Sequence, residues 1–267
     1  RRTGESGLTM GGARLDQHFL VDEGVRDAIV AAARPAAGDQ ILEIGPGPGV
    51  LTSPLLESGA AITAVELDDR LASRLTEKLV PRGLTLVHAD FLKLDLARLN
   101  RGPYKIVANL PYSVGAPILQ KILSWDGWTT AVLMFQREVA LRVSSSTGGA
   151  DYGLLTLSVR LNADCEYLLE IPPKAFRPPP KVSSGIVRLT RHVRPLVSPQ
   201  RQPAFFRLAK AAFAQRRKMA AGVIAGALGL SRERVAGAMR QLGISASARP
   251  EEISFSNFRA LADELLP

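Results

Sequence analysis

The chain of 267 residues has one cysteine, Cys165, and three histidines, His18, His88 and His192. A lone thiol excludes an internal disulfide and any cysteine-rich metal site, and histidines so scattered offer no ligand spacing. No metal is expected. No apolar run reaches the roughly 18 residues that a membrane span needs. The opening residues, RRTGESGLTMGG, lack the apolar core of a signal peptide. These absences point to a cytoplasmic protein with no membrane partner. Internal repeats and long low-complexity segments are missing too, which excludes solenoids and arrays.

What is present is a core-forming composition, 46% hydrophobic, in a chain long enough for one large domain plus a smaller one. Charge is unevenly placed. Residues 1–171 carry 17 Lys and Arg against 20 Asp and Glu, a net of −3, whereas residues 172–267 carry 17 against 5, a net of +12. A positive field gathered in the last third of the chain fits a phosphate-backbone partner better than an evenly solvated surface does. Nucleic acid is the expected partner.

Residues 1–14 read as a flexible basic arm. After Gln17-His18-Phe19-Leu20 a helix is expected, with Asp22 and Glu23 in its first turn, Val25, Ile29 and Val30 on one face, and an end near Pro35. Strand-like segments at 40–44, 61–67, 84–89 and 105–110 then alternate with helical spans near 51–58 and 70–80, the pattern of a parallel sheet with helices on both faces. Beyond it the pattern predicts a helix over 116–123, a strand over 130–135 and a basic helix carrying Arg137, Glu138 and Arg142. A loop over 144–153 and strands over 154–161 and 166–170 follow. Five prolines in 171–180 argue against regular structure there, and 181–190 restores a strand. A boundary near residue 195 separates a domain over 15–195 from a small all-α domain over 196–267. Helices in the latter are expected over 204–227, 232–242 (between an N-capping Ser231 and Gly243) and 257–266.

The chemistry gathers at the carboxyl ends of the predicted strands, where such sheets bind ligands. QILEIGPGPGV at 40–50 places Gly45, Gly47 and Gly49 in the turn after the first strand, with few side chains to block a ligand. A helix beginning near Val50 would turn its free N–H groups to the same space. Glu66 closes the second strand, Asp90 follows the third and Asn109 ends the fourth. Each acid alone is more often a helix cap or a solvated loop residue; together they mark a site. Nicotinamide and flavin enzymes need GxGxxG, and here Val50 stands at the last glycine position. S-adenosylmethionine, with no pyrophosphate to cradle, suits this turn. Glu66 can accept from its ribose hydroxyls, and apolar residues around Leu67 can flank the adenine. Asp90 can accept from the adenine amino group, and Phe91 can pack on a base face or fill the core.

Asn109-Leu110-Pro111-Tyr112 then points to the methyl acceptor. An amino group on an aromatic ring is a poor nucleophile, because its lone pair is delocalised. The Asn109 side-chain carbonyl and the Leu110 backbone carbonyl can each accept one of its hydrogens, and Pro111 biases Leu110 toward an extended conformation. Tyr112 can stack on the base, and positioning does most of the catalysis. A base within a duplex is out of reach, so the target is flipped or unpaired. Phe176, among prolines, is the candidate for the opposite face, or it packs its loop onto the sheet; Arg177, Lys174 and Lys181 beside it suit phosphates.

LDQHFLVD, LEIGPGPGVLT, AVELD, HADFLKLD, VANLPYSV, FQREVALRV, DYGLLTLSV, PPKAFRPPPKVSS, AFAQRRKM and RPEEISFSNFRALA together resemble the ribosomal RNA adenine dimethyltransferase family, and its bacterial small-subunit branch above all. The match runs over nearly the whole chain from Leu15. NLPY with AFRPPPKV is its specific part. The resemblance implies an α/β fold, a Rossmann-like S-adenosylmethionine-dependent methyltransferase sheet with a small all-α C-terminal domain. It implies dimethylation of two adjacent adenines in small-subunit RNA during ribosome assembly, by a monomer. The cofactor residues it implies are His18, Leu20, Gly45, Glu66, Asp90 and Asn109, to which the residues themselves add Gly47, Leu67 and Phe91. Around the base it implies Asn109, Leu110, Tyr112 and Phe176, and on the RNA Arg216, Arg217 and Lys218, beside the Arg177 and Lys181 already singled out. One departure is His18, where the family usually has Asn; imidazole would add a pH dependence to that contact. The alternatives are a large-subunit adenine methyltransferase giving antibiotic resistance, and a non-catalytic RNA-binding factor on the same fold.

Overall fold

The computed structural model describes residues 17–99 and 102–266; the arm expected over 1–14 lies outside them. The chain opens with a two-residue strand, β1 (Phe19–Leu20), and α1 (Glu23–Ala33). Asp22 caps α1 by accepting the Val25 N–H, and Val25, Ile29 and Ala33 bury one stripe. Then come β2 (Gln40–Ile44), α2 (Thr52–Glu57), β3 (Ala61–Glu66), α3 (Asp69–Lys78), β4 (Thr85–His88) and β5 (Tyr104–Asn109). Asp68 caps α3 through the N–H groups of Arg70 and Leu71. The first half continues through α4 (Gly115–Leu123), β6 (Trp128–Gln136) and α5 (Arg137–Ser144).

The order in the seven-stranded sheet is β4-β3-β2-β5-β6-β9-β7, with β7 spanning Ala163–Ile171 and β9 Ser184–Arg191. It is parallel from β4 to β6, and β9 and β7 pair antiparallel. Most positions of the interior strands are apolar, because both faces are covered. Ile106 and Ala108 of β5 join one cluster with Leu42, Leu119 and Leu133; Val107 joins another with Ile41, Ile62 and Ile29. The strand order switches between β2 and β5, with β3 and β4 to one side and β5 and β6 to the other, and the site forms at the carboxyl ends there.

The expected strand at 154–161 is a helix, α6 (Leu154–Asn162). LTLSVRL alternates as a strand does, but the alternation is produced by two interleaved helical faces. Leu155 and Val159 pack into the sheet cluster, while Leu154, Leu157 and Leu161 pack into a separate cluster of C-terminal helices. The polar positions between are buried and bonded: Thr156 Oγ1 donates to Arg142 O and accepts from Gly153 N, and Ser158 Oγ donates to Gln120 Oε1. The proline stretch is also more regular than expected. Pro173–Ala175 make a 3-10 turn, and the following β8 (Phe176–Arg177) pairs with β1, Leu20 opposite Phe176.

The expected helix over 204–227 is two, α7 (Gln202–Phe213) and α8 (Ala220–Leu228), with AQRRKM at 214–219 between them. Alanine-rich sequence on both sides favours helix, so propensity does not reveal the break. Tertiary bonds set it: Arg216 Nη2 donates to the carbonyls of Ala150 and Tyr152, and Ala220 N donates to Ala248 O. Next come α9 (Arg232–Gln241), capped by Ser231 as expected, and α10 (Phe255–Leu265). These helices share a core of Phe205, Leu208, Ile224, Val235, Met239, Phe258 and Leu261.

Candidate active site

The turn after β2 takes its shape from glycines with positive φ, +66° at Gly45 and +91° at Gly49. Their duties differ. A Cβ on Gly49 would meet Leu79 Cδ1 at 2.8 Å, so this glycine lets the turn lie on α3's end, whereas a Cβ on Gly45 would meet nothing within 4 Å. α2 runs from Thr52, close to the expected start near Val50; Val50 and its N-cap Leu51 line the pocket beside the turn.

The pocket over this turn is lined by Gln17, His18, Phe19 and Leu20 on one side and Asn109, Leu110, Pro111 and Tyr112 on another. Gly45, Gly47, Val50 and Leu51, the carboxyls of Glu43 and Glu66, and Phe176 complete it. Segments remote in sequence meet there because β1 pairs with β8 and Val21 N donates to Ala175 O at 2.8 Å, tying the N-terminal segment to the proline loop as a roof.

Glu66 is held by main-chain N–H groups of its neighbours and of the glycine turn. Oε1 accepts from the N–H groups of Leu67 and Asp68 at 2.8 and 2.9 Å, and Oε2 accepts from Gly47 at 3.1 Å. A carboxylate has about four acceptor positions, so one remains, and taking both ribose hydroxyls requires Gly47 to let go. His18 Nδ1 lies 2.8 Å from Pro178 O; a carbonyl only accepts, so this nitrogen carries a proton. The His18 main-chain oxygen accepts from Asn109 Nδ2 at 3.3 Å, and its ring lies 5.5 Å from that of Tyr112. Tyr112 Oη and Ser184 Oγ are 2.7 Å apart, which fixes the far end of the phenol ring.

Other expected residues lie apart from this lining. Leu67 is 56% exposed beyond it. Asp90 caps its own turn, accepting from Leu92 N at 2.9 Å, and lies just past β4, where Ala89 N bonds Glu66 O. Phe91 fills the sheet core, with Lys121 Nζ 5.5 Å from its ring centre. Arg177, Lys181, Arg217 and Lys218 are exposed, while Arg216 is engaged with the 150–152 loop.

Glu43 was not expected in the site. It sits inside β2 on the Ile41 face, 1% exposed, and its Oε2 has no hydrogen-bond partner. Burial pushes its carboxyl up to about 8; the neighbouring Thr52 hydroxyl tempers the rise, and the charge of Glu66 adds to it. The signal available was an acid in the middle of an otherwise apolar strand. Two carboxyls and, among the described residues, no lysine or arginine line the pocket. That donor set repels phosphate and favours a cation, which fits the sulfonium and ammonium of S-adenosylmethionine.

The sequence profile of the family described as ribosomal RNA adenine dimethylase matches residues 11–263. The chain belongs to that family. Two curated relatives named ribosomal RNA small subunit methyltransferase A support it. That of Synechococcus sp. (strain JA-3-3Ab) is 41% identical over 95% of this chain and 92% of its own length. That of Phenylobacterium zucineum is 43% identical over 94% and 86%. Among solved structures, the 23S rRNA methyltransferase ErmE superposes with a TM-score of 0.74 at 27% identity, covering 92% of this chain and 99% of its own. A dimethyladenosine transferase from Plasmodium falciparum shares the fold, with a TM-score of 0.78 at 24% identity over 91% and 96%. Family membership and the carboxyl-lined pocket agree on an S-adenosylmethionine-dependent methyltransferase.

Proposed function

We propose that the protein methylates, twice each, the exocyclic amines of two adjacent adenines in small-subunit ribosomal RNA. The observation that carries this is the placement of Asn109-Leu110-Pro111-Tyr112 and Phe176 on walls of the pocket that also holds Gly45 and Glu66. S-adenosylmethionine, when bound, supplies an electrophilic methyl group. Asn109 Oδ1 and the Leu110 carbonyl accept the two amine hydrogens, which concentrates the lone pair on nitrogen. Tyr112 flanks the base, while Phe176, 2% exposed and packed with Leu20 and Ala175, borders the pocket from the β1·β8 pair and faces the base only by turning out of that cluster. The methylated amine is acidic enough to lose its proton to water, so no general base is needed.

The name shared by relatives at 41% and 43% identity supports the small subunit as the RNA source. A paired base is out of reach, so the substrate is a partly assembled subunit with open target adenines. The enzyme acts as a monomer in the cytoplasm, where subunits are assembled. Two units divide the work: a methyltransferase unit over 15–195, and a helical unit over 196–267 whose exposed Arg217 and Lys218 meet the RNA backbone, with Arg177 and Lys181 of the proline loop beside the target.

ErmE's similarity makes large-subunit RNA the second reading. Primer extension over both ribosomal RNAs after incubation with enzyme and cofactor separates the two. Stops at adjacent adenines of small-subunit RNA are expected; a stop confined to large-subunit RNA overturns the proposal.

A further inference from the structure

Glu43 has a place in the molecule that holding a fold does not explain. An isolated carboxyl in an apolar strand is costly unless it is paired or neutral, and Glu43 is 1% exposed with Oε2 unpartnered, yet it lines the pocket. The groups around it are few. β3 presents Glu66 at its end, the segment before β1 presents His18, the segment after β5 presents Tyr112, and α2 offers the non-titrating Thr52. Among the described residues no lysine or arginine faces it from the pocket. Beyond the Thr52 hydroxyl, nothing among the described residues that line the pocket compensates an ionised Glu43. With its carboxyl pushed up to about 8 by burial, Glu43 is mostly neutral in the empty pocket at pH near 7.

The ligands of a methyltransferase differ in charge. S-adenosylmethionine has a sulfonium and an ammonium against one carboxylate, a net of one positive charge, while the product has a neutral thioether and no net charge. We infer that Glu43 reads this difference: it holds a proton in the empty pocket, releases it to solvent when the cationic cofactor enters, and takes one back from solvent once the sulfonium has become a thioether. The inference rests on the S-adenosylmethionine reading of the pocket and deepens it. A cation in a poorly solvated cavity favours the ionised form of a neighbouring carboxyl, and by linkage the ionised carboxyl favours the cation. Loss of the positive charge on methyl transfer removes that mutual stabilisation, so Glu43 helps the site prefer cofactor over product. Glu43 is a specificity residue for the cofactor and takes no part in moving the methyl group.

The consequence is measurable. Cofactor affinity rises by about tenfold per pH unit up to the Glu43 value of about 8 and levels off above it, while product affinity changes less. Calorimetric titration of the full chain in buffers of different ionisation heat counts the protons exchanged, and Glu43→Gln, which copies the neutral carboxyl in shape, removes the group. The ligand amine can exchange protons too, so the quantity that decides is wild type minus variant. Close to one extra proton released by wild type on binding S-adenosylmethionine at pH near 7 is expected, with a clearly smaller difference for S-adenosylhomocysteine. An analogue with an ammonium in place of the sulfonium should behave as the cofactor does. Equal differences for cofactor and product overturn the inference, and so does no difference at all. Isotope-edited infrared spectra of the wild type give a check independent of any variant: a protonated glutamic carboxyl band should vanish with cofactor and return with product, and a band indifferent to ligand overturns the inference. Binding heat separates the two levels of the argument. Binding without differential proton release removes the role of Glu43 alone; no binding of either ligand removes the cofactor pocket and this inference with it.

Discussion

Asn109 Nδ2 donates to the main-chain oxygen of His18, 91 residues earlier, across 3.3 Å. The bond joins the end of β5 to the segment that enters β1 and settles which way the amide faces. With its nitrogen engaged, the other amide atom, Oδ1, is the acceptor left for the amine of the proposed substrate. In the proposed reaction the site thus orients Asn109 before any ligand arrives.

Asn109→Ala removes that acceptor and leaves the RNA-facing cations in place. Methyl transfer should fall by about 100-fold to 1,000-fold, with RNA affinity unchanged. Filter transfer assays beside RNA titrations check this, and an equal loss in both would contradict the assigned role.

Glu43→Gln should also change the empty protein's stability with pH. The folded value of about 8 lies above the ordinary 4.5, so wild type binds the extra proton only when folded. Its stability therefore falls as pH rises from about 4.5 to about 8, and the glutamine variant lacks this loss. Melting curves should show the variant gaining on wild type across that window; parallel curves would mean that Glu43 ionises freely.

Thr156→Val keeps the shape of a buried residue and deletes two hydrogen bonds, to Arg142 O and from Gly153 N. The loss should be about 1–3 kcal/mol. Thr156 lies on the helix between the sheet and the helical cluster, so chemical denaturation is the measurement; an unchanged midpoint would show that the two carbonyl and amide groups find water instead.

Neighbouring cations should separate by function. Arg216→Ala releases the 150–152 loop and should lower stability by about 1 kcal/mol, whereas Arg217→Ala with Lys218→Ala should leave stability alone and flatten the salt dependence of RNA binding. Melting curves and binding at several salt concentrations test this. The same salt slope after losing Arg217 and Lys218 would place both outside the RNA contact.

The alternation of strand and helix through β5 was legible because each strand is a short apolar run bounded by turn residues, and the cap at Ser231 leaves a local mark, whereas Asp22 reads as a first-turn acid although it caps α1. α6 was not legible, because its two buried faces imitate a strand, and neither was the break before α8, which depends on carbonyls at 150, 152 and 248. In the site, the glycine turn, Glu66 and Asn109 to Tyr112 were visible as types at fixed places along the chain. Glu43 hid within a strand, and Ser184 had no mark of its own before β9 brought it to the Tyr112 hydroxyl.

The most direct test of the central claim is the identity and number of methylated nucleosides. Unmethylated, partly assembled small subunits incubated with the enzyme and isotopically labelled S-adenosylmethionine, then digested and analysed by mass spectrometry, should yield dimethyladenosine from two adjacent positions and no other labelled nucleoside. Label in any other nucleoside, or in monomethyladenosine alone at completion, would contradict the account.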